Sequence, residues 1–388
     1  MMLKNIINIS LRELGLLRSN PIYLFCMVIF PILVVVFFTS IMEKGQPADM
    51  PIGIVDLDNT ATTRSMIRRL DAFQTTKVKA RYANINEARE AIQNNEIYAF
   101  LYFPKNTTAD LIASRQPKIS FYYSNACITS GSLIFKELKT ISLLGSAAVA
   151  SAKLSALGKT ESEITTFLQP VNVDLHAIGN PTTNYSVYLS TSLIPACITL
   201  FIFLITAYSI GTEQKFRRSG EWMAMAENNI FVALTGKMLP QFIVFSSIMC
   251  LYLIYIYVWL GFPHASSLAA ALALAILTVL ASQGFGMTMF GIVPSLRMSM
   301  SICSLWAALS FSLMGSTFPV SAMSAPIQAL ANLFPMRHYF SIYQTCIFSN
   351  GSLATALPHI LALTAFALLP LLFARRIKTA VTEWEYMP

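Results

Sequence analysis

Five long stretches of this chain contain no charged side chain, and a sixth holds only His359. They are residues 22–41, 187–212, 238–263, 265–296, 298–336 and 339–374. A helix needs about 20 predominantly apolar residues to cross a bilayer, where every backbone N–H and C=O must be satisfied within the segment. Each run is long enough. The chain is 55% hydrophobic and 12% charged over 388 residues, where a soluble chain carries about a quarter charged residues. The expected fold class is therefore a polytopic α-helical membrane protein with six transmembrane helices.

The first run does not read as a cleaved signal peptide. Residues 1–20 precede it, its apolar core is too long, and no small-residue cleavage site follows in FFTSIMEKGQP. Pro31 within it should kink the helix and not end it. The net charge of +8 raises the question of nucleic acid, but its distribution points to the membrane. Lys4, Arg12 and Arg18 precede the first run, and Lys215, Arg217, Arg218 and Lys237 flank the second loop. Arg297 separates the fourth and fifth runs, and Arg375, Arg376 and Lys378 follow the sixth. With all four clusters in the cytoplasm, six spans alternate and both termini lie inside. No nucleic-acid partner is expected. The partner surface is lipid.

The opening KNIINISLRELGLLRSNP sets Ile6, Ile7, Ile9, Leu14 and Leu17 against Lys4, Arg12 and Arg18. It reads as an amphipathic elbow helix over 1–20 lying in the interface, before a first span at 21–42. Residues 43–186 are different in kind, holding 15 of the 27 basic and 13 of the 19 acidic residues. PIGIVD, TKVKARY, IYAFLYFP and KISFYYS read as strands with amphipathic helices between them. That rhythm predicts an α/β domain with a mostly parallel or mixed sheet, placed outside the cell between spans one and two. Residues 126–169 read as helical, and VNVDLHAIGN as a closing strand. Spans two to six occupy 187–388, with a loop at 212–238 and external re-entrant helices at about 320–352.

PIGIVDLDNT delivers Asp56 and Asp58 at a strand end, as phosphoaspartate enzymes do. Those enzymes also need a Ser or Thr, a Lys and a later acidic pair for Mg²⁺, and residues 61–186 offer no adjacent acidic pair. Asp56 and Asp58 are expected to shape the turn, with Asn59 or Thr60 capping the next helix. LGKT at 157–160 lacks the glycine of a phosphate loop, and TGKMLP lacks the hydroxyl residue after Lys237. No ATP site is expected in this chain. Cys26, Cys127, Cys197, Cys250, Cys303 and Cys346 show no metal-ligand spacing, so no metal is expected either. Within the loop, GEWMAMAENNIFVALTGKMLP sets Trp222, Met223 and Met225, then Ile230, Phe231 and Leu234, on an amphipathic surface behind Glu221. A mechanical coupling element has this form, and so does a helix lying on lipid headgroups.

The order of elements resembles the membrane subunit of type-2 ABC exporters across essentially the whole chain. GIVDLDNTATTRSMIRRLD is similar to that family's extracytoplasmic opening, and AFLYFPKNTTADLIASRQPKISFYYSNA to the segment after it. GTEQKFRRSGEWMAMAENNIFVALTGKMLP resembles its coupling loop, ending in Gly-Lys-x-x-Pro. GSTFPVSAMSAPIQALANLFPMRHYFSIYQTCIFSNGS resembles the pattern before its last span. The loop has Ala226-Glu227-Asn228-Asn229 where many relatives carry Thr-Pro, and Ser324-Ala325-Pro326 replaces Met-Pro.

The resemblance implies a six-span subunit of an ATP-driven exporter in a bacterial inner membrane, carrying an amphipathic, lipid-like or drug-like substrate. It implies a second permease copy or paralogue, and separate ATPase subunits that bind ATP and Mg²⁺. Relatives with large outer domains often work with a periplasmic adaptor and an outer-membrane channel. Glu213, Glu221, Trp222, Asn228 and Asn229 are the implied ATPase-coupling residues. Thr191, Thr199 and Phe203 on the second span, with Trp306, Ser310 and Phe311 on the fifth, are the implied translocation path. Apart from His359, no acid or base is expected inside a span, which argues against ion coupling. Two other readings stand: an envelope receptor or structural protein whose outer domain binds a partner, and a membrane-tethered phosphohydrolase.

Overall fold

The computed structural model describes residues 2–41, 43, 45–113, 115–171, 174, 176, 179–180, 182–384 and 386. The chain forms two compact units, Met1–Glu43 with Ala177–Pro388, and Lys44–His176.

In the first unit, six helices among the described residues are long and apolar enough to cross a membrane: Pro21–Ile41, Tyr185–Lys215, Ile230–Trp259, Leu268–Ile292, Leu296–Leu313 and Leu353–Glu383. The amphipathic helix Met2–Ser19 precedes them. It stops where Asn20 leaves helical geometry and its side chain accepts the Ile22 N–H at 3.0 Å, with Pro21 beginning the next helix. Pro21 has no N–H to orphan and a fixed φ suited to a first turn. Pro31 cannot donate to the turn before it, and a π-helical stretch at Phe25–Ile29 accommodates the gap.

One boundary departs from the sequence reading, and two others follow its expectation of an external stretch at about 320–352 between the fifth and sixth spans. The third span begins at Ile230, capped by the Asn229 side chain on the Phe231 N–H at 3.0 Å, and not at residue 238. Lys237 limited the apolar run, yet lies within the helix. Ile230, Phe231 and Leu234 therefore belong to that span and not to the loop. The fifth span ends at Leu313, where Gly315 adopts φ +97°. The sixth begins only at Leu353, because Asn350 at φ +52° separates it from the short helix Pro335–Ile342 and its π-helical extension Tyr343–Phe348. His338 on that short helix meets His359 of the sixth span, Nδ1 to Nδ1 at 2.9 Å.

The second span is the most enclosed of the six. Close backbone approach closes the fourth span onto the sixth. A Cβ on Gly284 would collide with the Phe366 carbonyl and come within 2.8 Å of the Ala367 Cα.

The second unit is an α/β fold. Strands β1 (Met50–Asp56), β2 (Thr76–Arg81), β3 (Ala99–Phe103) and β4 (Ser120–Tyr123) form one sheet in the order β2-β1-β3-β4. β1 pairs in parallel with β2 and β3, and β4 joins antiparallel at the edge. Both faces of β1 are covered, which explains its nearly continuous apolar sequence. Ile52, Ile54, Leu101 and Phe103 pack with Ile67 and Leu70 of helix Ala61–Asp71, and with Ile134 and Leu138 of helix Ile128–Ala156. Val55 and Phe100 pack on the other face with Ala88 and Ala91 of helix Ile85–Gln93. The expected closing strand at 171–180 falls largely outside the described residues.

Gly284→Leu forces backbone apart where no side chain can yield. Overpacking of this kind costs about 1–3 kcal/mol or more. A lowered unfolding temperature of the detergent-purified protein is expected, whereas Gly220→Ala, with open space around it, should leave it unchanged.

Candidate coupling site

Four charged side chains from three helices meet in a buried cluster. Arg12 Nη1 and Nη2 donate to the two Glu213 carboxylate oxygens at 2.8 and 2.9 Å. Lys237 Nζ donates to Glu13 Oε2 at 2.6 Å and to Glu213 Oε1 at 2.7 Å. Gln241 Nε2 reaches Glu13 Oε1 at 3.3 Å. Glu13 and Lys237 are 1% exposed and Glu213 is 2% exposed. Isolated charges at that depth would be forbiddingly costly. Two cations against two carboxylates, with bidentate geometry on one pair, offset that penalty. Burial opposes the Arg12 charge, but Glu213, with Glu221 and Glu13 behind it, raises the guanidinium above its ordinary value.

The cluster ties the amphipathic helix to the second and third spans. On that helix Ile9, Ser10, Glu13 and Leu17 face inward and are buried, while Leu3, Ile7, Leu11 and Leu14 are exposed. The expected division into one apolar and one charged face is thus corrected: Glu13 points in and Arg12 is largely enclosed, because both have buried partners. Ser10 Oγ donates to the Gly236 carbonyl at 2.8 Å. Gly236 has no Cβ to meet Ile9, whose own Cβ would lie 2.8 Å away. The expectation that spans lack acids and bases is corrected too. Glu213 and Lys237 both lie in span helices, neutralised by each other and by the amphipathic helix.

Between the second and third spans stands the short helix Ser219–Met225. Left-handed residues bound it on both sides, Arg217 at φ +56°, then Glu227 and Asn228 at φ +50° and +60°. These positions let the Arg218 N–H close onto Glu213 O at 2.8 Å and the Asn228 N–H onto Met223 O at 2.9 Å, capping each preceding helix. Trp222 is fully buried. Its indole N–H donates to Ala233 O at 3.2 Å, and Lys237 Nζ lies 5.3 Å from its ring centroid. Lys378 Nζ donates to the Asn228 carbonyl at 2.8 Å, so the sixth span holds the loop as well.

Of the residues expected to couple to an ATPase, Glu213 and Trp222 are therefore interior, and Asn229 is spent on the cap of the third span. Glu221 and Asn228 are exposed, with Arg12 Nε 3.7 Å from Glu221 Oε1. Sequence reasoning missed Arg12, Glu13, Lys237 and Gln241. The available signal was Glu13, the one acid in a basic amphipathic segment, and Lys237, a lone charge about two turns inside an apolar stretch.

The expected path residues lie on two helices that pack side by side. Phe203 stands 4.6 Å from Phe285, which lies 5.8 Å from Trp306, itself stacked on Phe334 at 4.9 Å between ring centroids. The Trp306 indole N–H donates to Leu333 O at 3.1 Å. Thr199 and Ser310 are buried with hydroxyls that find no partner among the described residues. Thr191 Oγ1 bonds back to Val187 O at 2.7 Å, and Phe311 is half-buried against the main core.

In the other unit, Asp56 and Asp58 are engaged within their turn. Asp56 accepts from the Asp58 and Asn59 N–H groups and from Thr63 Oγ1, the last at 2.8 Å. Asp58 accepts from Thr60 Oγ1 at 3.1 Å, and from the Thr108 hydroxyl and N–H at 2.6 and 3.1 Å. Partial burial raises the Asp58 pKa, but the Thr108 bonds outweigh it and hold the carboxyl below its ordinary value. Thr60 caps helix Ala61–Asp71. Both carboxylates thus serve the turn and the start of the helix after it.

Removing one partner of a buried pair costs about 3–5 kcal/mol, since the other charge stays behind unpaired. Lys237→Met should therefore destabilise strongly. Lys237→Met with Glu13→Gln should recover part of the loss in thermal unfolding, which separates charge pairing from packing.

A sequence model of the family described as ABC-2 family transporter protein matches residues 21–376, across both units. No individual curated protein matches the chain. With six apolar helices and a match over nearly its whole length, the chain belongs to the ABC-2 family of transporter proteins and is a multi-pass permease subunit of an ABC transporter.

Proposed function

We propose that this permease is the membrane part of an ATP-driven exporter, with the loop helix Ser219–Met225 receiving the stroke of a separate ATPase. Family membership implies an ABC ATPase partner. The observation that carries the reading is the buried cluster of Arg12, Glu13, Glu213 and Lys237. A force on the loop helix reaches the second span through Glu213, the third through Lys237, and the amphipathic helix through Arg12 and Glu13. Trp222, keyed into the third span, fixes the loop helix to that body.

The residues named for coupling then divide by role. Glu221 and Asn228, with the exposed Ala224 and Glu227 between them, make the contact face. Glu213, Trp222 and Asn229 are positioning residues behind it. The ATPase binds ATP and Mg²⁺, and this chain supplies no nucleotide site. The distribution of the four basic clusters supports a topology with the loop and both termini in the cytoplasm of a bacterial inner membrane and the α/β unit outside. The cargo is amphipathic, lipid-like or drug-like, taken from the cytoplasm or inner leaflet. It would move past Thr191, Thr199, Phe203, Trp306, Ser310 and Phe311, where the unpartnered hydroxyls of Thr199 and Ser310 offer hydrogen bonds. A second permease copy or paralogue completes the path, and a periplasmic adaptor with an outer-membrane channel extends it.

The test is purification of the tagged protein from its native membranes in mild detergent, followed by assay for co-purifying ATP hydrolysis. Activity should accompany the wild type. Glu221→Lys and Ala224→Trp alter exposed positions, and each should reduce it about tenfold, as loss of roughly 1.4 kcal/mol at an interface would. Equal activity in all three preparations, or none in the wild type, would sink the reading.

A further inference from the structure

The α/β unit contains a cleft of about 1130 Å³ between helices Ala61–Asp71 and Ile128–Ala156, closed at one side by residues 115–120. Its two helical walls follow from sequence spacing. Thr62, Ser65, Met66 and Arg69 recur at three- and four-residue intervals on the first helix, and Ser142, Gly145, Val149 and Lys153 do so on the second. Residues at such intervals share one helix face. Gly145 lets the helices approach, since a Cβ there would lie 2.8 Å from Met66 Cε.

The chemistry of the walls is one-sided. Arg69, Arg115, Lys118 and Lys153 line the cleft, and among the described lining residues there is no carboxylate. Arg115 has an acid contact in Asp110, 3.8 Å away in an exposed pair. A pair of that kind contributes little and leaves the guanidinium available. Hydroxyls of Thr62, Ser65, Ser142 and Ser146 stand among the cations, while Met66, Ile119, Ile141 and Val149 give the cleft an apolar floor. The volume slightly exceeds that of ordinary small-molecule sites, about 300–1,000 Å³.

We propose that this cleft binds a phosphate-headed amphiphile, with its head on the Arg69, Arg115 and Lys118 side and its alkyl part along Met66, Ile141 and Val149. Guanidinium groups bind phosphate oxygens through paired, charge-assisted hydrogen bonds, and ammonium groups add point charge. Serine and threonine hydroxyls donate to the remaining oxygens of the acceptor-rich head. The apolar floor distinguishes an amphiphile from a free anion, because a free anion would gain nothing from it. The inference concerns the α/β unit alone and holds whichever way the permease is energised.

The experiment uses the full-length protein in dodecyl maltoside micelles, which carry no phosphate, titrated calorimetrically, with empty micelles subtracted for partitioning. Octyl phosphate, inorganic phosphate and octyl glucoside are compared. Octyl phosphate should bind about tenfold more tightly than either of the others, head and tail each contributing on the order of 1.4 kcal/mol. Arg69→Gln with Lys118→Gln, both exposed, should weaken it about tenfold, the scale of charge-assisted bonds to phosphate. Ala148→Phe, an exposed wall position, should block the cleft with its charge unchanged. Inorganic phosphate binding as tightly would show a free-anion site, and octyl glucoside binding as tightly a merely greasy one. Either result overturns the proposal, as does octyl phosphate binding that survives both variants.

Discussion

One ammonium group holds the membrane unit's polar end together. Lys237 sits about two turns inside an otherwise apolar helix and bridges two carboxylates that arrive from opposite directions in the chain, Glu13 and Glu213. Low-dielectric surroundings make such a bridge all-or-nothing. Fully paired, it fixes three helices in one register, and with a member removed it leaves an uncompensated charge where water cannot follow. The register of the amphipathic helix, the burial of Trp222 and the orientation of the loop helix all depend on that pairing. Specificity of arrangement, more than raw stability, is what an ionic cluster supplies in place of leucines.

That constraint explains why the loop helix can be short. Seven residues cannot hold a helix by propensity alone. Ser219–Met225 persists because Trp222 and Met223 are buried in the small core formed with Ile9, Ile230 and Phe290, and because left-handed residues cap the chain on either side. What remains exposed is a compact face around Glu221, Ala224 and Asn228. Rigidity behind and exposure in front are what a transmitting element needs, and the two come from alternate positions of one helical turn.

Much of this architecture was legible in the sequence. The six spans showed because the bilayer requirement is compositional and local, and the α/β unit showed because strand and helix periods alternate cleanly from β1 to β4. The Asp56 and Asp58 turn read correctly from cap chemistry. Span boundaries were less accessible. The third span was started late because Lys237 looks like a solvent-facing charge until its partner is known, and that partner lies 224 residues away. Glu13 was hidden for the same reason. Long-range pairing leaves no periodic trace, whereas the external stretch at about 320–352 showed because the run 298–336 is too long for one span.

The central claim is that the amphipathic helix, the loop helix and the start of the third span behave as one body through the ion cluster. Hydrogen–deuterium exchange of the intact protein tests it most directly, since amides report local opening element by element. Slow exchange is predicted for residues 5–17, 219–225 and 230–240 in the wild type, rising together in Lys237→Met. An amphipathic helix that exchanges rapidly in the wild type, or one unaffected by Lys237→Met while the loop helix opens, would contradict the account.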